Sequence, residues 1–411
     1  MKSLLLIATL LMTSQAPAQT QTANTLMPQE RVFIATKIYS AVTTYFAHWG
    51  PISRDQFDRS YQAYVDRILK SDDRRSFDME SIALLAQLHN GHTWFSDDWL
   101  ESKYGQTVGF SAAPLGASWV VTSSSLPAIR KGAEITAVND TPVERFFEQS
   151  EKYLSASNRR SAQLALFETR ILFPGRFSIV LGDKSRVTVD RAANKSAAAV
   201  EKTQGKWLTP GMTAYIRIPS FDGLRFVAAT LDYIDEFRSA KTIIIDVRGN
   251  PGGDAPPIAI HRALMNLPYR QWIEESPSRS GIPSDRGYDW AELHSGLATQ
   301  RPEANAYGGK LIILTDGGCQ SYCEDFVMPF KDSKRAILVG ESTGGTFSMT
   351  HYYDFDNGMR MNVASTRERF PDGSTFEGVG IAPDVEVQPT VEDLRSGADR
   401  ALQSALQLAD R

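Results

Sequence analysis

Three groups of residues in this chain have the types and spacing that covalent chemistry needs. The first is Cys319-Gln320-Ser321-Tyr322-Cys323-Glu324-Asp325-Phe326, a serine set between two cysteines. The apolar run Lys310 to Leu314 leads through Gly317-Gly318 into a helix predicted to begin near Ser321. That helix buries Tyr322, Phe326, Val327 and Phe330, and Pro329 is expected to kink or end it. A serine at such a start meets free backbone N–H groups, and the helix dipole favours negative charge there. Acyl transfer needs this place, because its tetrahedral intermediate carries an oxyanion that backbone donors can hold. Serine is also a preferred N-cap, so position alone leaves a structural role open.

The second group, Asp246-Val247-Arg248-Gly249-Asn250-Pro251-Gly252-Gly253-Asp254, follows the apolar Ile243 to Ile245. Its glycines allow close backbone approach to a ligand, and their N–H groups can form an anion-binding nest. The same turn also reads as a tight strand-to-helix connection with Asp246 and Arg248 paired. No Gly-Lys-Ser/Thr follows it, or Thr343-Gly344-Gly345, which excludes a phosphate loop.

The third group is the histidines, from which a serine nucleophile would take its base. His89 and His92 flank Asn90-Gly91 after a predicted helix. As metal ligands they lack a third partner or a zincin-like glutamate, so neither a metal nor another cofactor is expected. His48, His261, His294 and His351 have no comparable setting and read as surface or packed residues. Cys319 and Cys323 are the only cysteines, and a spacing of four is within disulfide reach if they flank a first helical turn. In an oxidising compartment such a pair reads as a bridge sooner than as a Cys323 nucleophile.

The elements that must position these residues fall into blocks. Helical spacing predicts helices over Gln29 to Trp49, Gln56 to Leu69 and Met79 to about His89, the last stopped by Asn90-Gly91. From about Gln106 short strands follow: Ser118 to Thr122, Glu134 to Val138, Phe177 to Leu181 and Arg186 to Val189. Ala192 to Lys206, rich in Ala, Lys and Ser, suits a linker or an exposed helix. Beyond it Ala214 to Ile218, Thr242 to Val247, Lys310 to Leu314 and Ala336 to Val339 are the apolar runs of strands buried on both faces. Helices are expected over Arg225 to Arg238 and Pro257 to Leu267. Asp356-Asn357-Gly358 reads as a hairpin turn, and a capping box from Thr390 to Asp393 opens a final helix through Leu394, Leu402, Leu406 and Leu408. The expected division is 1–18 signal peptide, 26–104 helical domain, 105–192 β-rich module, 193–207 linker, 208–390 α/β core and 391–411 C-terminal helix.

Composition fits a globular protein: 411 residues, 42% hydrophobic and 22% charged, with a net charge of −4 that offers no field for nucleic acid or acidic membranes. Met1-Lys2, the apolar run Leu4 to Leu11 and the small-x-small site Ala16-Pro17-Ala18 read as a signal peptide cleaved after Ala18. The expected location is therefore periplasmic or secreted. No run approaches the roughly 18 apolar residues of a membrane span.

Taken in order, several segments resemble the family of C-terminal-processing proteases, tricorn core proteases and interphotoreceptor retinoid-binding proteins. They are Leu84-Leu85-Ala86-Gln87-Leu88-His89-Asn90-Gly91-His92-Thr93, Tyr215-Ile216-Arg217-Ile218-Pro219-Ser220-Phe221, the Asp246 turn, the Ser321 segment, Gly340-Glu341-Ser342-Thr343-Gly344-Gly345, Pro371-Asp372-Gly373 and Glu377-Gly378-Val379-Gly380-Ile381-Ala382-Pro383-Asp384. The resemblance implies an α/β crotonase/ClpP-like core behind an N-terminal helical domain. Ile135 to Val143 is similar to a strand and turn of a PDZ-like module. Processing proteases pair their serine with a lysine after the Thr-x-Gly turn, but here that turn reads Thr343-Gly344-Gly345-Thr346. Lys331 and Lys334 sit at the far end of the serine's helix.

The tricorn-like branch uses a histidine, and His92 stands at the matching position. The resemblance then implies Ser321 as nucleophile, His92 as general base and Glu377 as the residue that orients or polarises it. It also implies an oxyanion hole from the N–H of Tyr322 and one of Gly252 or Gly253. In tricorn a serine precedes the histidine and links it to the glutamate; here Gly91 stands there. The expected activity is that of an exported serine peptidase acting on peptides or unfolded proteins. A ligand-binding protein and an esterase-like acyl hydrolase on the same scaffold are the alternatives.

Overall fold

A computed structural model describes residues 24–194, 201–277, 290–294 and 298–411, so the expected signal peptide lies outside the described residues. The chain has a mixed α/β fold of helices and several sheets. The apolar runs build a six-stranded sheet in the order Val385–Glu386, Ile337–Gly340, Lys310–Thr315, Thr242–Asp246, Thr213–Arg217 and Gln204–Thr209. Neighbours are parallel except at the last pair, where Gln204–Thr209 runs antiparallel to Thr213–Arg217.

Side chains of a strand point alternately to opposite faces. Ile243, Ile245, Leu311, Ile313 and Leu338 accordingly pack under helices Leu224–Glu236, Ile258–Leu264 and Tyr322–Ser333, against Val227, Ile234, Ile260, Phe326 and Phe330. Ile244, Ile312, Leu314 and Val339 face the other way and meet Leu402, Ala405, Leu406 and Leu408. Both faces are covered, so these strands show no apolar–polar alternation.

The N-terminal helices Pro28–Tyr45, Arg54–Ile68 and Arg74–Ala86 are followed by a short strand, Trp94–Asp97. That strand pairs antiparallel with Met359–Ala364, which in turn pairs with Thr350–Asp354. Met359, Met361 and Val363 are buried with Ile38, Phe57, Phe77 and Leu85 of the helices, so one core spans chain segments far apart in sequence. The buried guanidinium of Arg74 holds the Asp97 carboxylate through two bonds of 2.6 and 2.8 Å. A separate antiparallel sheet, Phe110–Leu115, Ser118–Ser124, Glu134–Val138, Arg176–Leu181 and Arg186–Asp190, packs on its own core around Trp119, Phe147, Phe167 and Ile179. No helix among the described residues is long and apolar enough to cross a membrane.

Four expectations need correction. The third helix begins at Arg74, not Met79, because Asp73 caps it by accepting from the Ser76 N–H. The expected linker 193–207 runs into a strand, since Gln204–Thr209 pairs with Thr213–Arg217. Pro329 does not end the serine's helix, which continues to Ser333; its buried neighbours Phe326, Val327, Met328 and Phe330 hold the turn that the missing N–H weakens. The C-terminal helix is two helices, Val391–Ser396 and Arg400–Ala409. Gly397 adopts φ +76° between them, and the Asp399 side chain caps the second.

Candidate active site

Ser321 stands at the junction of the strand Lys310–Thr315 and the helix Tyr322–Ser333, with φ +54° and ψ −129°. A non-glycine residue with positive φ is strained, and such strain persists only where the surroundings impose it. Here they do. The Ser321 N–H donates to the Thr346 carbonyl at 2.9 Å, the Gln320 N–H to the Asn250 carbonyl at 3.0 Å, and the Gly344 N–H to the Cys319 carbonyl at 2.8 Å. A disulfide joins Cys319 to Cys323 across the same turn. The Ser321 hydroxyl makes no capping bond to the helix, and it points instead to His92, whose Nε2 lies 3.1 Å from Oγ.

His92 follows the end of the third helix, and the strand Trp94–Asp97 two residues later fixes where it lies. Its backbone N–H donates to Asn90 Oδ1 at 2.9 Å. Its Nδ1 lies 3.1 Å from the Thr346 hydroxyl. If Nε2 accepts from Ser321, Nδ1 carries the ring proton and donates to Thr346. Burial, with a smaller contribution from nearby His48, pushes the imidazole pKa down to about 4, so the ring is neutral at pH 7.

Thr346 was not among the residues expected from the sequence, yet it touches both partners. Its carbonyl receives the Ser321 N–H and its hydroxyl meets the imidazole. Its own N–H donates to Glu324 Oε2 at 2.7 Å. A Cβ on Gly91 would come within 2.8 Å of the Thr346 hydroxyl. The space where a serine at position 91 would begin is thus filled by a hydroxyl from another segment. Glu324, in the first turn of the serine's helix, also accepts from the Thr343 hydroxyl at 2.5 Å and the Gly345 N–H at 2.8 Å. Burial nevertheless pushes its carboxyl up to about 8. The signal for Glu324 was present in the sequence: an acidic pair, Glu324-Asp325, inside an otherwise apolar helix.

Glu377 reaches the turn that carries His92 rather than its ring. Oε1 accepts from Asn90 Nδ2 at 2.9 Å and from the Ser157 hydroxyl at 2.7 Å, and Oε2 accepts from the Phe347 N–H at 3.0 Å. The Ser157 hydroxyl in turn receives the Gly91 N–H at 3.1 Å. Burial pushes the Glu377 carboxyl up to about 7 against the pull of these three donors.

The glycine turn closes on the serine. A Cβ on Gly252, at φ +86°, would lie 2.7 Å from Ser321 Cβ and 2.9 Å from the Tyr322 nitrogen. The Gly252 N–H is already given to Asn250 Oδ1 at 2.8 Å. One of the two glycine donors expected for an oxyanion is thereby committed within its own turn. Asp246 and Arg248 form an ion pair that extends to Asp399, as a structural turn would.

None of the other histidines meets Ser321, although His48 lies near His92. His48 meets the Thr366 carbonyl, His261 meets the Phe326 carbonyl and His351 stacks on Tyr45. His89 is exposed, and the side chain of His294 lies outside the described residues. Among the described residues no group of three or more His, Cys, Asp or Glu is arranged to hold a metal ion.

Residues 212–387 match the family model described as peptidase family S41. The chain is 28% identical over 205 residues to a carboxyl-terminal-processing protease of Synechocystis sp., a match of 48% of this chain and 44% of that protein. It is 25% identical to a chloroplastic C-terminal processing peptidase of Tetradesmus obliquus over 50% of this chain and 40% of that one. With the carboxy-terminal processing protease CtpA of Bacillus subtilis it shares 20% identity over 351 residues, 83% of this chain and 70% of the other. The chain thus spans less than half the length of the first two relatives. Among solved structures, mature CPAF complexed with lactacystin aligns with TM-score 0.71 at 13% identity, covering 93% of this chain and 99% of that one. The photosystem II D1 C-terminal processing protease aligns with TM-score 0.52 at 19% identity, over 90% and 98%. At these identities the likeness is one of fold.

Proposed function

We propose, on the premise that residues 212–387 are a peptidase family S41 domain, that the protein is a serine peptidase with Ser321 as nucleophile and His92 as general base. The observation that carries the reading is the approach of His92 Nε2 to 3.1 Å from Ser321 Oγ, two residues 229 positions apart in sequence. A neutral imidazole at that distance takes the hydroxyl proton as Oγ attacks the substrate carbonyl. The N–H groups of Tyr322 and Gly253 receive the oxyanion. The imidazolium then protonates the leaving amine, and a water activated by the same ring hydrolyses the acyl-enzyme. Thr346 holds Nδ1 as the ring gains charge. Glu377 orients the ring indirectly, through Asn90 and the Ser157–Gly91 contact.

In the same reading residues 208–390 are a crotonase/ClpP-like core and residues 105–192 a PDZ-like module. Residues 1–18 are a signal peptide that delivers the protein to the periplasm or the exterior. The substrates are peptides or unfolded proteins. Fluorophosphonate labelling of the mature protein tests the assignment. Wild type is expected to label and to degrade casein, while Ser321→Ala does neither and His92→Ala labels far more slowly. Labelling that survives Ser321→Ala would sink the assignment, and labelling without any peptide cleavage would favour an esterase or a binding protein.

A further inference from the structure

A cavity of about 780 Å³ opens beside the nucleophile, within the size range of ligand pockets. Tyr322, the residue after Ser321, and Phe347, the residue after Thr346, form its wall toward the active site. The Phe347 ring lies 6.3 Å from the His92 ring, centroid to centroid, so the cavity borders the Ser321–His92 pair. The surface of the cavity as a whole is mostly apolar, and Trp272, Ile258 and Met349 contribute to it.

Against that lining stand three carboxylic acids, Glu274, Asp325 and Glu368. Asp325 lies one turn along the helix from Ser321 and is fully buried, and Glu368 is 3% exposed. Neither finds a hydrogen-bond donor for either oxygen among the described residues, apart from the other acid beside it. Glu368 also sits directly opposite Glu274 in the antiparallel pairing of Arg367–Arg369 with Ile273–Pro277. Like charges in that register oppose pairing. Arg367 and Arg369 alternate with Glu368 along the strand, and both pair with Glu275. Burial holds the Asp325 and Glu368 carboxyls well above the usual carboxylate range. A folded chain tolerates such a group where it serves a site, since an apolar residue there would cost less.

We propose that this cavity receives a cationic side chain of the substrate, lysine or arginine, next to the scissile bond, with Asp325 and Glu368 as its counter-charges. The inference rests on the reading of Ser321 as the nucleophile of a peptidase and names its substrate class. The apolar wall takes the methylene stem, and two adjacent carboxylates suit the forked donors of a guanidinium or the three donors of an ammonium. A cation draws the carboxyls into their charged form by pairing with them, whereas an aliphatic side chain of the same length leaves both acids buried without a hydrogen-bond partner, so discrimination against it is steep.

The experiment compares N-acetylated peptides that differ only at one position, arginine against citrulline and lysine against norleucine. The acetyl group removes the α-amino cation, the other source of the same chemistry, and a matched uncapped neutral peptide measures that source directly. Wild type is expected to favour the cationic member of each capped pair by tenfold or more in kcat/KM. Asp325→Asn and Glu368→Gln are expected to lower that ratio at least tenfold. Because either variant could fold poorly, benzamidine and neutral benzamide are compared as competitive inhibitors of the wild-type protein, and only benzamidine is expected to inhibit at millimolar concentration. Equal turnover within the capped pairs, a preference confined to the uncapped neutral peptide, or equal inhibition by benzamidine and benzamide would overturn the proposal. If wild type labels at Ser321 and degrades casein without the cationic preference, this inference alone falls. If Ser321 does not label, the peptidase reading falls and takes this inference with it.

Discussion

Three side chains meet at the candidate site, and each is held by a different part of the chain. Ser321 is aimed by a strained backbone, His92 by a turn bonded to Asn90, and Thr346 by a buried glutamate. With His92 held neutral down to about pH 4, kcat/KM is expected to keep its plateau through pH 6 and to fall near pH 4. An acid limb near 6.5, the ordinary histidine range, would show that the ring is not desolvated as described. Thr346→Val removes the hydroxyl with little change of shape. The loss of one bond to the ring is worth about 1–3 kcal/mol, roughly fivefold to 150-fold in kcat. Steady-state kinetics should show that loss in kcat with KM unchanged, and Thr346→Ser should restore it. A matching loss in Thr346→Ser would mean that only packing had been disturbed.

At the scale of elements, the glycine turn and the disulfide bear on the same junction. Gly252→Ala places a methyl group against Ser321 and the Tyr322 nitrogen at a positive φ. It is expected to abolish fluorophosphonate labelling and to destabilise by at least about 1 kcal/mol, as a denaturant melt would report. The Cys319–Cys323 bridge closes a loop with a sequence separation of only 4, so chain entropy gives it about 2 kcal/mol. Cys319→Ala with Cys323→Ala should lower stability by that amount in the same melt. An unchanged midpoint would show that the hydrogen bonds to the Thr346 and Asn250 carbonyls and from the Gly344 N–H suffice to hold the turn.

For the molecule as a whole, buried ionisable groups set how stability follows pH. Glu324 at about 8 and Glu377 at about 7 lie above their ordinary value of 4.5. The folded chain therefore binds protons that the unfolded chain does not. Their contribution is fully present below about pH 4.5 and is lost as pH rises through 7 and 8. His48, His92 and His261, each near 4 when folded, act in the opposite sense below about pH 6.5. Thermal melts should therefore give a higher Tm at pH 6.5 than at pH 8.5, with a smaller difference in Glu324→Gln. A Tm that rises between pH 6.5 and 8.5 would contradict these protonation states.

The sequence by itself determined the buried strands, the serine at a strand-to-helix junction and the glycines around it, because local apolar runs and turn residues encode these directly. Its ordered motifs also pointed to His92 and Glu377, through resemblance rather than through spacing. It misjudged the ends of elements where a single side chain decides, as Asp73 and Asp399 do by capping. Tertiary structure alone decided which hydroxyl meets His92. Thr346 lies 254 residues from the histidine, and its role depends on Gly91 leaving room for it. The strand Trp94–Asp97 pairs with Met359–Ala364 and so brings His92 beside Ser321. Such pairing depends on contacts between distant segments, which no local pattern of residues records.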